Sequence, residues 1–167
     1  MTTVERNYIM NQAVAEQKMR RMALEIIENN FEEDELILAG IHENGSVVAG
    51  NIQAMIAEFS SIKTKLISIS LDKRMPAAVT LSETMNFDNK VIIVIDDVAN
   101  SGKTLMYSLK PFLQYRPKKI QSLVLVERSH NSFPVHSDYA GISIATTRQE
   151  HIYVEVTNGN ITGAYLK

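Results

Sequence analysis

The 167-residue chain contains no cysteine. That excludes a disulfide framework, a thiolate nucleophile and cysteine-ligated zinc, and it fits a reducing compartment. There is no excess of positive charge either. The formal net charge is −2, so no overall field draws the chain to nucleic acid or to an anionic membrane. No apolar run reaches the roughly 18 residues that a membrane-spanning helix needs. The N-terminal stretch MTTVERNYIMNQAVAEQKMRRMALEIIENN carries charges throughout, unlike a secretory leader. Internal repeats and low-complexity tracts are absent. What these absences leave is a cytoplasmic protein with no membrane association. Its 45% hydrophobic and 22% charged residues suit one globular domain over residues 1–167.

What is present is alternation. Val4 to Asn29 reads as an amphipathic helix through Ala15, Met19, Met22, Leu24, Ile26 and Ile27. LILAGIH reads as a buried strand, SVVAGNIQAMIAEF as a helix and KLISISL as a strand. From Asp72 to Asn89 the pattern dissolves into a polar segment containing Pro76, long enough for a mobile flap over a site. KVIIVIDD is the most apolar run and is β-branched, as expected of a central parallel strand buried on both faces. A helix follows from Lys103 to Gln114, then three strands at IQSLVLVER, YAGISIA and HIYVEV. Such alternation predicts an α/β fold, a mostly parallel central sheet flanked by helices, with the site at the strand carboxyl ends.

The chemistry concentrates in VIIVIDDVANSGKT, Val91 to Thr104. Its Ser-Gly-Lys-Thr ending is that of a nucleotide-binding P-loop, but Asp97 stands where the first glycine of that motif belongs. A strand end, a loop and a helix start expose backbone N–H groups to an anion, and Gly102 allows close approach. Ser101 and Thr104 add hydroxyl donors. Two carboxylates, Asp96 and Asp97, would repel a bare triphosphate. They suit a ligand bearing hydroxyl donors and a Mg²⁺ ion beside a phosphate, which describes a sugar phosphate. The candidate binding loop is thus Val98, Ala99, Asn100, Ser101, Gly102, Lys103 and Thr104.

This stretch resembles the phosphoribosyl pyrophosphate-binding signature of type I phosphoribosyltransferases: four apolar residues, two acids, then a loop ending in Thr/Ser-Gly-Lys/Arg-Thr. The segment from Arg116 to Val156 is similar to the C-terminal third of the pyrimidine operon attenuation protein family, which also has uracil phosphoribosyltransferase activity. ALEIIENN and ELILAGIHENG match that family's first helix and first core strand. The resemblance implies the type I phosphoribosyltransferase fold with a flexible hood or flap loop, and a homodimer or higher oligomer. It implies phosphoribosyl pyrophosphate, a nucleobase or nucleoside monophosphate as ligands, and Mg²⁺ as cofactor. By position, Asp96 and Asp97 are the ribose and Mg²⁺ acids, and Asn100 to Thr104 the 5′-phosphate loop. His42, Glu43, Asn44 and Gly45 stand in the pyrophosphate loop, and Arg128 beside the reaction centre. The base pocket falls on Gly141 to Thr147, including Gly141, Ile142 and Ser143, and His130 is placed at the site rim.

Several positions depart from the family pattern. The pyrophosphate loop usually reads Lys-x-Arg-Gly, whereas this chain has His-Glu-Asn-Gly. Ile142 replaces a common lysine. Asn100 replaces the aspartate that purine-salvage relatives use as a base, which favours a pyrimidine. Asn131 and His136 replace arginines, leaving Lys18, Arg20 and Arg21 as the one basic group, so RNA binding is not favoured. Two readings stay open: an enzyme that transfers ribose 5-phosphate to a nucleobase, most simply uracil, and a nucleotide-sensing regulator with weak or no catalysis.

Overall fold

A computed structural model describes residues 5–72, 74–76 and 78–167. In chain order the elements are β1 (Asn7–Asn11), α1 (Gln12–Asn29), β2 (Glu35–Ile41), α2 (Asn44–Phe59), β3 (Lys63–Leu71), β4 (Val79–Leu81) and β5 (Val91–Ala99). There follow α3 (Lys103–Ser108), a 3₁₀ turn at Lys110–Phe112, β6 (Lys119–Arg128), β7 (Tyr139–Ile144), β8 (Ile152–Thr157) and β9 (Asn160–Leu166).

Six strands form the main sheet in the order β4-β3-β2-β5-β6-β7, parallel except for the antiparallel edge strand β4. The apolar run of β5 sits at its centre. Side chains alternate across a strand, so a strand covered on both faces must be apolar at every position. Ile93 and Ile95 join the larger core, shared with Ala15, Met22 and Ile26 of α1 and Val48, Ile52 and Ile56 of α2. Ile92 and Val94 enter a second cluster on the opposite face, with Leu105, Phe112 and Phe87.

The first helix begins later than its amphipathic pattern suggests. Asn11 is its cap, the side-chain oxygen accepting the Val14 N–H at 2.9 Å. The residues before it, Asn7–Asn11, form a strand antiparallel to β9. Helix α3 is also shorter than expected from Lys103 to Gln114. It ends at Ser108 and passes into the 3₁₀ turn at Lys110–Phe112, where Pro111 has no N–H to continue an α-helical ladder.

The expected flap from Asp72 to Asn89 is anchored in its second half. Val79–Leu81 pairs with β3, and buried Phe87 packs edge-on against Phe112 (5.0 Å between centroids) and Tyr115 (5.3 Å). Asp88 accepts the Arg116 N–H at 2.7 Å. Lys73 and Ala77, within that segment, lie outside the described residues.

A separate antiparallel sheet, β1-β9-β8, unites the two ends of the chain in a hood. Its inner face contributes Met10, Ile152, Val154, Ile161 and Ala164 to the larger core. Its outer face carries Tyr8, Tyr165 and Tyr153 in cross-strand register, with ring centroids 5.5 and 5.3 Å apart and the Arg6 guanidinium 4.8 Å from the Tyr165 ring. Cross-strand aromatic pairs of this kind stabilise a small sheet that has little area of its own to bury.

The cap at Asn11 can be tested by the sign of a single substitution. Asn11→Ala should destabilise the protein by about 1 kcal/mol in urea denaturation, while Asn11→Ser stays within a few tenths. Were Asn11 inside a helix running from Val4, alanine would instead be stabilising.

Candidate functional site

In an open parallel sheet, ligands bind beyond the strand carboxyl ends, where the chain's winding direction reverses. Here that point lies between β2 and β5, since β3 is laid down on one side of β2 and β5 on the other. The loops that follow β2, β5, β6 and β7 converge there.

Asp96 and Asp97 lie near the end of strand β5, which runs on through Val98 and Ala99, two residues expected in the loop, and they are only 1% and 8% exposed. Burying a carboxylate is costly unless donors replace its water. Asp96 Oδ1 accepts the Asp97 N–H at 2.9 Å. Asp97 Oδ1 accepts the Val98 N–H at 2.8 Å, and its Oδ2 accepts the Asn44 amide at 3.1 Å. The first turn of α2 presses directly on the pair. A Cβ built on Gly45 would lie 2.7 Å from the Ile95 carbonyl oxygen and 3.1 Å from Asp96 Oδ1, so only glycine permits this approach. The positive end of the α2 dipole is thereby held against the acids. The same Asn44 nitrogen also donates to the Val154 carbonyl of β8 at 3.2 Å.

Carboxylate oxygens are hard donors. They fit Mg²⁺, which binds one or two carboxylates and fills its remaining positions with water and substrate phosphate oxygens. Among the described residues no cluster of three or more acidic or histidine side chains could hold a metal by itself. An ion held by this pair alone would take its remaining ligands from water or phosphate.

The loop after β5 is braced from one side. The Ser101 carbonyl accepts the N–H groups of Ser132 (3.0 Å) and Phe133 (3.1 Å), and Ser101 Oγ accepts the Lys103 N–H at 3.3 Å. Gly102 has φ +86°, and a Cβ there would come within 3.2 Å of the Val135 carbonyl oxygen. Residues Val98 to Leu105 enclose a small concavity of about 60 Å³. Beside it opens a cavity of about 590 Å³, walled by Asn100 and Ser101, by Arg128, His130 and Ser132 after β6, and by Thr146, Thr147 and Arg148 after β7.

Several sequence expectations are repositioned by this geometry. Arg128 lines the cavity, yet its guanidinium donates to the Glu150 carbonyl and so ties down the β7–β8 loop. Its Nε is buried without a hydrogen-bond partner. Glu150 in turn accepts the Thr147 N–H (2.8 Å) and hydroxyl (3.1 Å). Gly141, Ile142 and Ser143 lie inside β7 and are not cavity-lining. Gly141 is buried with its carbonyl accepting from Arg21, and Ile142 packs on the larger core. The wall is built by residues past the strand end, of which Ser132 and Arg148 had no place in the sequence reading. Their signal was their position in loops at strand carboxyl ends.

His42 and Glu43 are both exposed, His42 Nδ1 and Glu43 Oε1 4.0 Å apart across a cis peptide bond. Of the basic group on α1, Arg20 is engaged by Glu16, Glu58 and the Phe59 ring, and Arg21 by Glu25 and the carbonyls of Ala140 and Gly141. Asn131 donates to the Val135 carbonyl at 2.8 Å and sits 3.2 Å from His136 Nδ1. No helix among the described residues is long and apolar enough to cross a membrane.

Residues 7–157 match the family described as phosphoribosyl transferase domain. A bifunctional protein PyrR from Staphylococcus saprophyticus is 35% identical over 156 residues, covering 87% of this chain and 89% of that protein. One from Streptococcus gordonii is 32% identical, covering 89% and 86%. Among solved structures, a hypoxanthine-guanine phosphoribosyltransferase from Bacillus anthracis superposes with a TM-score of 0.74 at 19% identity, over 95% of this chain and 96% of that one. A hypoxanthine phosphoribosyltransferase from Trypanosoma cruzi gives 0.77 at 12% identity, over 95% and 94%. At such identities the structures speak to the fold alone.

Gly102→Val should abolish binding of inorganic phosphate in calorimetry while circular dichroism still reports a folded α/β protein. A β-branched residue at this φ costs on the order of 1–2 kcal/mol and forces the loop to move. Phosphate binding at wild-type strength in that variant would place the anion elsewhere.

Proposed function

The chain belongs to the phosphoribosyl transferase family and has the type I phosphoribosyltransferase fold, and from that premise we propose that it transfers ribose 5-phosphate from phosphoribosyl pyrophosphate to a pyrimidine base, most simply uracil. The carrying observation is the end of β5, where two partnered, buried carboxylates stand two strand residues before a glycine-dependent loop. The bifunctional PyrR relatives support the pyrimidine choice by name.

In this reading the 5′-phosphate docks on the backbone N–H groups and hydroxyls of Asn100 to Thr104. Asp96 and Asp97 accept the ribose hydroxyls, which fixes C1′ toward the large cavity. The bond from C1′ to the pyrophosphate oxygen breaks, a ring nitrogen of the base bonds to C1′ in its place, and the proton that nitrogen carried passes to the departing pyrophosphate or to water. Positioning and electrostatics supply the rate, since C1′ gains cationic character close to the buried acids. Mg²⁺, held on Asp96 and Asp97, would neutralise the pyrophosphate. His130, Thr146, Thr147 and Arg148 face the base. Asn100 cannot take a proton at neutral pH, which weighs against a purine. A cytoplasmic homodimer or higher oligomer completes the proposal.

One observation favours the regulatory alternative. The loop from His42 to Gly45 has no lysine or arginine, and Glu43 is exposed within it. A site that keeps its ribose phosphate end and loses affinity for pyrophosphate would serve as a nucleotide sensor with little turnover. An RNA partner is not favoured, because Arg20 and Arg21 are engaged within the chain.

Turnover with phosphoribosyl pyrophosphate, Mg²⁺ and a panel of bases separates these readings. Pyrophosphate release with uracil, well above that with hypoxanthine or guanine, is the expected result. Uridine monophosphate binding without release for any base would select the sensor. Preferential use of a purine would contradict the pyrimidine assignment.

A further inference from the structure

We infer that Asn44 is a positioning residue whose carboxamide couples the ribose-binding carboxylate to closure of the hood. The inference rests on the reading of the site as a phosphoribosyl site. It assigns Asn44 a role different from contact with pyrophosphate.

An amide nitrogen carries two hydrogens. Those of Asn44 go to two different sheets: one to Asp97 Oδ2 at 3.1 Å, the other to the Val154 carbonyl of β8 at 3.2 Å. Its donors are thus spent within the protein, in a loop where the family resemblance implies cations for pyrophosphate. Both acceptors are well buried, Asp97 being 8% and Val154 9% exposed. The other Asp97 oxygen is already held by the Val98 N–H at 2.8 Å. The carboxylate therefore has its orientation fixed from one side by β5 itself and from the other by Asn44. Strand β8 is an edge of the hood sheet, and this amide fastens it to the main sheet at the acid pair.

Two consequences follow from one side chain. Asp97 is presented to ribose in a set rotamer, and its engagement by a ligand stabilises the same bridge that holds β8. Ligand binding is then felt in the hood. The phosphate loop from Asn100 to Thr104 has its own brace on Ser132 and Phe133 and does not depend on Asn44.

Calorimetry and amide hydrogen exchange on the full chain test this, with ribose 5-phosphate and inorganic phosphate as probes. In the wild type, ribose 5-phosphate should bind and slow exchange across Ile152–Thr157. Asn44→Ala should bind ribose 5-phosphate about tenfold or more weakly, the loss expected when a hydrogen bond to a charged acceptor goes. Its affinity for inorganic phosphate should stay within about twofold, as for sites that share no partner. Its β8 amides should exchange faster and ignore ribose 5-phosphate. Asn44→Asp, which keeps the volume and removes both donors, should show the same split if the alanine variant does not fold. Equal loss for both probes would make Asn44 a general support and overturn the inference. So would a β8 that still responds to ribose 5-phosphate in the variants. A wild type that binds inorganic phosphate but no ribose 5-phosphate would overturn the phosphoribosyl reading beneath it, a failure visible before any variant is made.

Discussion

Two carboxylates buried side by side at the end of the most apolar strand impose the constraint around which the rest of this structure is arranged. Left without donors, each would cost on the order of several kcal/mol. The chain meets that cost locally with the N–H groups of Asp97 and Val98 and distantly with the Asn44 amide. Gly45 exists to let the first turn of α2 reach the acids, since any Cβ would strike the Ile95 carbonyl. A helix start, a strand end and a hood strand are thus fixed to one another through polar contacts that the hydrophobic core alone would not specify.

The parallel topology explains why the site lies where it does. Strand β5 is central because it is apolar at both parities, and the reversal of winding between β2 and β5 opens the space that their loops share. The hood closes this arrangement by bringing both chain ends over the larger core, its outer face held by three tyrosines and Arg6. The acid pair is where main sheet and hood meet.

Much of this was legible in the amino-acid sequence, for identifiable reasons. Val91 to Ile95 could be read as a central strand because burial on both faces leaves no polar position. The acid pair and Ser-Gly-Lys-Thr could be placed together at a strand end because they are neighbours in sequence, and they remain the proposed sugar-phosphate site. What was illegible depended on distant partners or on strand ends. Asn7–Asn11 pairs with β9 at the other end of the chain, and without that partner its residues extend the amphipathic pattern of α1. Phe87 reads as part of a polar loop until Phe112 and Tyr115 are placed beside it. Of the base region expected at Gly141 to Thr147, Gly141 to Ser143 fall inside β7, which runs on to Ile144, whereas Thr146 and Thr147 line the cavity together with Arg148. Asn44 gave no sign of its two acceptors, which lie on strands far from it in sequence.

The central claim is that one strand end binds both halves of a phosphorylated sugar, the phosphate on the glycine loop and the hydroxyls on the acids. A crystal structure grown with ribose 5-phosphate tests it most directly. The account predicts the phosphate within hydrogen-bond distance of backbone N–H groups from Asn100 to Thr104 and the ribose hydroxyls on Asp96 and Asp97. A sugar phosphate seated on that loop with its ribose turned away from both acids, or bound elsewhere on the chain, would contradict it.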